Sequence, residues 1–152
     1  MKANFGIYLI AASLAASCLH GQDRDPGQRL QEYLAYPDSR GSVFAQGTMD
    51  GVDYRKLLRG AIHKDRTSLV RLFQYTAHGQ LMGEGYDSNA DILRQLLRLW
   101  GDGAYSKVLA AQAPDVRSSV IGSLDYVWPG GWQSTSYPKT FKLAEHDKSV
   151  GG

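Results

Sequence analysis

The fold class is decided by residues 66–78, which read RTSLVRLFQYTAH. Their apolar and small side chains recur three and four positions apart, the spacing at which residues share one face of an α-helix. Those side chains are Leu69, Val70, Leu72, Phe73, Thr76 and Ala77. Gly79 follows, at the position where many helices end. The pattern predicts a helix from Arg66 to His78 with a broad apolar face at the centre of the core.

Similar patterns on both sides of this stretch predict further helices joined by short links. The first covers residues 26–36, and the second runs from a cap at Asp50 to residue 63. After the helix at 66–78, three more are predicted: from a cap at Ser88 or Asn89 to residue 100, from 102 to about 113, and from 114 to 127. Residues 37–48 are predicted to be a loop with a strand-like segment at 42–45, and residues 80–89 a Gly-rich loop. Because short links force consecutive helices to pack antiparallel, the sequence predicts an all-α fold, either a small stacked α-solenoid or an irregular bundle.

The helical domain is predicted over residues 28–128. Residues 18–27 are polar and rich in helix breakers, which is typical of a linker or tether. Glycines and prolines interrupt any regular spacing of apolar residues in 129–152, so these residues are predicted to be an irregular C-terminal extension. Its apolar side chains are expected to pack across the helices, and the residues from about His146 to be loose. The side chains expected to pack are Trp132, Tyr137, Phe141 and Leu143.

Residues 113–124, APDVRSSVIGSL, resemble the second helix of a HEAT-type repeat, in which Pro-Asp is followed by Val-Arg, a small or apolar pair and Leu. Residues 104–112 stand where the first helix of the repeat lies. Residues 52–63 and 66–78 have the same layout but lack the Pro and the Val-Arg. The resemblance implies a HEAT-like stack of helix pairs capped by the N-terminal helix and the aromatic tail, since two repeats are fewer than a regular solenoid needs.

The first seventeen residues are typical of a signal peptide. Lys2 gives a positive start, and residues 5–17 form an uncharged run that is too short to span a bilayer as a stable helix. Residues 14–18, LAASC, resemble a bacterial lipobox, although Leu14 stands one place further from the cysteine than the motif requires. Three interpretations follow: lipidation of Cys18, ordinary cleavage between Ser17 and Gly21, or a buried cysteine.

Composition and motif spacing argue against several classes of function. The formal net charge of +2 provides no concentrated positive field for nucleic acid. The histidines are scattered, without the spacing of a zinc site. They are His20, His63, His78 and His146. No cofactor is therefore predicted.

A calcium site is excluded by spacing. Asp87, Asn89 and Asp91 alternate as the first ligands of an EF-hand loop do. However, Ile92 occupies the place of the required Gly, and Arg98 the place of the bidentate Glu. Asn89 and Asp91 are instead expected to lie at a helix start, where unpaired backbone N–H groups favour such side chains.

Four residues are candidates for a functional site. Glu84, in a Gly-flanked loop, is the one catalytic candidate, against the alternative of an ordinary solvated residue. Glu84 and Tyr86 are also binding candidates, because loops carry binding residues more often than cores do. Trp128 and Trp132 are expected either to stack on sugars or a partner protein, or to cap the last helix.

Basic residues are concentrated on the predicted second and third helices. Such a surface is usually solvated, and the alternatives are contact with an acidic protein or with anionic lipid heads. The residues are Arg55, Lys56, Arg59, Lys64, Arg66 and Arg71.

The sequence therefore predicts an exported, lipid-anchored protein of a bacterial cell envelope, periplasmic or on a membrane. It is expected to be non-enzymatic, to bind another envelope protein through its helical surface, and to contact the membrane only through Cys18. One alternative is a periplasmic immunity or inhibitor protein whose loop at Gly83–Tyr86 blocks a toxin or cell-wall enzyme. A second alternative is a hydrolase that uses Glu84.

Overall fold

A computed structural model describes residues 25–128 and 135–150 of the chain, with side chains as far as residue 144. In this part of the chain every regular element is an α-helix, which confirms the predicted all-α class. The helices are α1 (Pro26–Ala35), α2 (Val43–Met49), α3 (Tyr54–Ile62), α4 (Arg66–His78), α5 (Glu84–Trp100), α6 (Asp102–Ala110), α7 (Pro114–Val127) and α8 (Pro138–Val150). The predicted signal peptide and Cys18 lie outside the described residues.

Side-chain caps fix where the first four helices begin. Asp25, Ser42, Asp53 and Asp65 each accept a hydrogen bond from a backbone N–H in the first turn of the following helix. These bonds satisfy N–H groups that have no partner within the helix. The predicted Asp50 cap is therefore wrong, because Asp53 performs this role for α3.

Residues 37–42 form a loop as predicted, but helix α2 replaces the rest of the predicted loop and most of its strand-like segment. Its seven residues include Gly47, a poor helix former, so helix propensity by itself does not account for this element. The buried Gln46 side chain holds the helix in place by donating to the carbonyls of Gly41 and Met82, both at 2.9 Å. Tertiary contacts, rather than propensity, stabilise this element.

Helix α5 is the centre of the bundle, and it packs against α1, α2, α3, α6 and α7. It begins at Glu84, so the predicted loop over residues 80–89 is wrong from Glu84 onward, and so is the predicted cap at Ser88 or Asn89. Glu84 and Tyr86 therefore lie in the first turn of a helix, and the helix ends before Gly101 as predicted. Five of its apolar side chains are fully buried, in a core to which each of the other seven described helices contributes. Those side chains are Ala90, Ile92, Leu93, Leu96 and Leu97.

The helices form an irregular bundle, one of the two arrangements predicted. Helices α3 and α4 pack along each other, whereas α6 and α7 make only marginal contact. Instead α6 packs on α8 and α5, and α7 packs on α5 and α4. The pairing of α6 with α7 that the HEAT resemblance implies thus receives no support from this packing.

The C-terminal region contains a helix where an irregular extension was predicted. Helix α8 covers Pro138–Val150, so that prediction is wrong for these residues. The expectation of packing is confirmed for Tyr137, Phe141 and Leu143, which lie against the core; Trp132 is outside the described residues. Asp102, at the start of α6, accepts the backbone N–H groups of Lys139 at 2.7 Å and Thr140 at 2.8 Å.

Among the helices described here, none combines the length and the apolar character needed to cross a membrane.

Candidate functional site

Glu84 is the first residue of α5, and its side chain contacts the loop between α1 and α2. The Ser39 hydroxyl donates to both of its carboxylate oxygens, at 3.1 and 3.2 Å. A carboxylate at a helix N-terminus is stabilised by the helix dipole, so this position has a structural explanation. Glu84 also lines a pocket of about 210 Å³ together with Arg29, Tyr33 and Phe44.

The aromatic candidates contact neighbouring rings. Tyr86 packs edge-to-face on Tyr126, with ring centroids 5.3 Å apart, and Trp128 lies 5.5 Å from Tyr137. The guanidinium carbon of Arg94 lies 5.8 Å from the centroid of the Trp128 ring. Trp128 and Tyr137 thus join the end of α7 to the start of α8, as the capping interpretation expects.

The alternating polar residues at the start of α5 accept hydrogen bonds from tyrosines of three other helices. Asp87 binds the hydroxyl of Tyr126, Asn89 that of Tyr54, and Asp91 that of Tyr33, each at 2.8 Å. This arrangement explains the calcium-like spacing without a metal. Over the residues that the structure describes, no group of three or more His, Cys, Asp or Glu is placed to hold a metal ion.

A broad groove of about 1010 Å³ lies between α3, α4 and the α2–α3 turn. Lys56 and Leu57 of α3 line one side, and Arg71, Gln74 and Tyr75 of α4 line the other. The exposed side chain of Met49, at the end of α2, lies at its edge. Sequence reasoning missed this groove, because its walls meet only when α3 packs against α4.

The carboxylates of the groove are already bonded within the protein. Asp50 accepts from the Tyr75 hydroxyl at 2.8 Å and from the backbone N–H of Gln80 at 3.0 Å. Burial, and then the hydrogen bond to Asp50, raises the pKa of Tyr75. Asp53 and Asp65 cap α3 and α4, and the Ser68 hydroxyl and N–H hold the pKa of Asp65 below its ordinary value.

Two of the six predicted basic residues have structural roles. Arg55 donates to the carbonyls of Leu34, at 2.6 Å, and Tyr36, at 2.7 Å. Lys64 donates to the Leu99 carbonyl and lies over the Trp100 ring. The other four side chains make no hydrogen bond or ion pair with any residue that the structure describes. These are Lys56 and Arg71 in the groove, and Arg59 and Arg66 outside it.

The two histidines whose side chains are described lie on the surface and do not form a common site. His78 is at the edge of the groove, with its Nε2 3.7 Å from a carboxylate oxygen of Asp115. His63 is the exposed C-cap residue of α3.

No family model, curated protein or solved structure matches the chain. The candidate site therefore rests on its own geometry.

Proposed function

We propose that this protein is an exported, lipid-anchored component of a bacterial cell envelope that binds another protein through the α3–α4 groove. The groove itself is the observation that carries the proposal. At about 1010 Å³ it reaches the upper end of the range of small-molecule pockets, and it is open rather than enclosed. Such a shape suits several side chains of a polypeptide segment.

The lining of the groove supports protein binding. Leu57 and Met49 provide apolar contact, while Lys56, Arg71 and Gln74 provide hydrogen-bond donors. Protein interfaces combine apolar contacts with polar groups that form hydrogen bonds. The catalytic candidate Glu84 is bonded to Ser39, away from this groove, so the groove and Glu84 do not form one reaction centre.

Site-specific photocrosslinking tests the proposal. A benzophenone amino acid replaces Gln74, which is exposed in the groove, or Ser118, which is exposed on α7 outside it. In cells that produce the full chain, we expect light to join the Gln74 variant to one envelope protein, whereas the Ser118 variant gives no such product. Equal labelling from both positions, or none from Gln74 in a folded variant, would contradict groove binding. A crosslinked toxin or cell-wall enzyme would favour the inhibitor alternative.

The anchor is tested separately by Cys18→Ser. If Cys18 carries acyl chains, their burial at about 0.8 kcal/mol per CH₂ holds the protein on the membrane. The variant should then move from the membrane fraction to the supernatant, while a Ser17→Ala control stays bound. Unchanged membrane association of Cys18→Ser would reject the lipid anchor and leave the groove proposal intact.

A further inference from the structure

We infer that the small pocket between α1, α2 and the start of α5 binds an alkylammonium group, with Glu84 and Ser88 holding the ammonium. Among the described residues, none lines both this pocket and the α3–α4 groove, so the inference does not rest on the groove. The volume of about 210 Å³ is below the range of pockets for drug-sized ligands. It suits one side chain or a small amine, whose alkyl chain lies against the apolar part of the lining. That part consists of Tyr33, Tyr36, Pro37, Val43 and Phe44.

The polar groups of the pocket have unused hydrogen-bonding capacity. Glu84 and Ser88 both line the pocket, and their spacing of four residues places them on one face of α5. The Ser39 hydroxyl shares its single hydrogen between the two Glu84 oxygens, at 3.1 and 3.2 Å, whereas a carboxylate has about four acceptor positions. The Ser88 hydroxyl makes no hydrogen bond to any residue that the structure describes. An ammonium group has three N–H donors, which suffice for the carboxylate and the hydroxyl together.

The ion pairs of the pocket leave the charge of Glu84 without a partner in the described part of the chain. Arg29, the other charged residue of the lining, lies 3.1 Å from a Glu32 oxygen and 3.6 Å from an Asp91 oxygen. Asp91 is seven residues beyond Glu84, which is about 10 Å along the axis of α5. Arg29 therefore compensates the opposite end of the pocket. Arg40, in the α1–α2 loop, does not line the pocket.

The helix dipoles do not reverse the sign of the charge at the Glu84 end. The N-termini of α2 and α5 each contribute roughly half a positive charge. The first turn of α5 contains two carboxylates, those of Glu84 and Asp87. Two full negative charges outweigh the two partial positive ones, so this end of the pocket favours a cation.

The aromatic rings of the pocket decide which kind of cation fits. Quaternary ammonium groups bind in cages of open ring faces. Here the guanidinium carbon of Arg29 lies 4.9 Å from the centroid of Tyr33, and that of Arg55 lies 4.0 Å from the centroid of Phe44. One face of each ring is thus already occupied. A quaternary group also has no N–H to donate to Glu84, so a primary ammonium is the better ligand.

A titration followed by two-dimensional amide NMR tests the inference with the full chain in a non-ionic detergent. Pentylamine is the probe. Pentanol has the same alkyl chain without the charge, and pentyltrimethylammonium has the charge without N–H donors. Glu84→Gln removes the required charge and keeps the shape of the side chain. Asp87→Asn is the matched control, because it removes a charge from the same turn of α5 outside the pocket.

We expect pentylamine to shift the amide signals of residues 33–44 and 84–88, with a dissociation constant in the millimolar range. Glu84→Gln should raise this constant about tenfold and Asp87→Asn less than twofold. Pentanol and pentyltrimethylammonium should bind at least about tenfold more weakly than pentylamine. Equal weakening in both variants would show attraction to the general charge of α5 and overturn the inference. Tighter binding of either comparison ligand would also overturn it, and that result uses the unaltered chain.

A peptide distinguishes the two sources of an alkylammonium group. Acetyl-Gly-Lys-Gly-amide presents a lysine side chain and no terminal amine. If it binds as tightly as pentylamine and Glu84→Gln weakens it, the ligand is a lysine of a partner polypeptide. Binding of pentylamine alone would identify a small free amine. Binding of neither would overturn the inference and leave the groove proposal, with its Gln74 crosslink, unaffected.

Discussion

Two tyrosines, Tyr54 and Tyr105, are both almost completely buried but differ in what their hydroxyls contact. The Tyr54 hydroxyl donates to Asn89 Oδ1 at 2.8 Å. The Tyr105 hydroxyl has no hydrogen-bond partner within the described part of the chain. Burial raises the pKa of both phenols. Comparing the two residues therefore shows how much a buried hydrogen bond contributes to the free energy of unfolding, and how much a buried hydroxyl without a partner costs.

We expect Tyr54→Phe to lower the free energy of unfolding by about 1–2 kcal/mol, because Asn89 loses its donor in a dry site. Tyr105→Phe removes a hydroxyl without a partner, so it should leave stability within about 0.5 kcal/mol or increase it. Urea denaturation of both variants measures the two values. Equal destabilisation would show that packing around the hydroxyls, rather than hydrogen bonding, decides the outcome.

Asn89 shows why the start of α5 was predicted incorrectly from the sequence. Asn favours helix caps, which is the physical basis for predicting a cap at Asn89. In the structure Asn89 lies within the helix and also donates to Thr76 Oγ1 at 3.1 Å. Its partners, Tyr54 and Thr76, are 35 and 13 positions away in the chain. A local propensity contains no information about such partners.

At the scale of elements, α2 and α5 meet without space for an additional methyl group. A Cβ added at Gly85 would lie 2.3–2.5 Å from the Gln46 amide group. That amide is fixed by bonds to the Gly41 carbonyl and to both backbone groups of Met82. Gly85 therefore allows α2 to approach the first turn of α5.

We expect Gly85→Ala to lower the free energy of unfolding by about 1–3 kcal/mol, since the new methyl group overpacks this contact. Gly122→Ala is the matched control, because Gly122 lies within α7 with nothing within 4 Å of an added Cβ. There the better helix propensity of alanine should stabilise the protein by up to about 1 kcal/mol. Thermal or urea denaturation distinguishes the two signs, and a stabilising Gly85→Ala would show that Gln46 moves aside at little cost.

At the scale of the whole molecule, one carboxylate connects the C-terminal helix to the body of the bundle. Asp102 accepts from the N–H groups of Lys139 and Thr140 and from the Thr140 hydroxyl at 2.7 Å. Thr140 is fully buried. Asp102 therefore caps the first turn of α8 from a different helix, and α8 packs on α6 and α7.

We expect Asp102→Ala to release α8 while α5 remains folded. Hydrogen bonds to a charged group are worth about 1.5–3 kcal/mol, so amides near residues 139–144 should exchange with solvent about 10- to 100-fold faster. Amide hydrogen exchange followed by mass spectrometry measures this change. Asp115→Ala is the control, because Asp115 also lies in a first helical turn but has a largely exposed side chain. Unchanged protection of α8 in Asp102→Ala would show that apolar packing alone holds it.

The sequence by itself determined the helical class, the bounds of α4, the ends of α5 at Gly101 and of α1 before Pro37, and the apolar faces that form the core. These follow from spacing, caps and breakers, which act over a few neighbouring residues. Only the tertiary structure decided that α2 is helical, that Glu84 belongs to α5, and that α8 is capped by Asp102. It also determined which cations lie in the groove. Each of these depends on bonds or packing between residues far apart in the chain, where local periodicity has no influence.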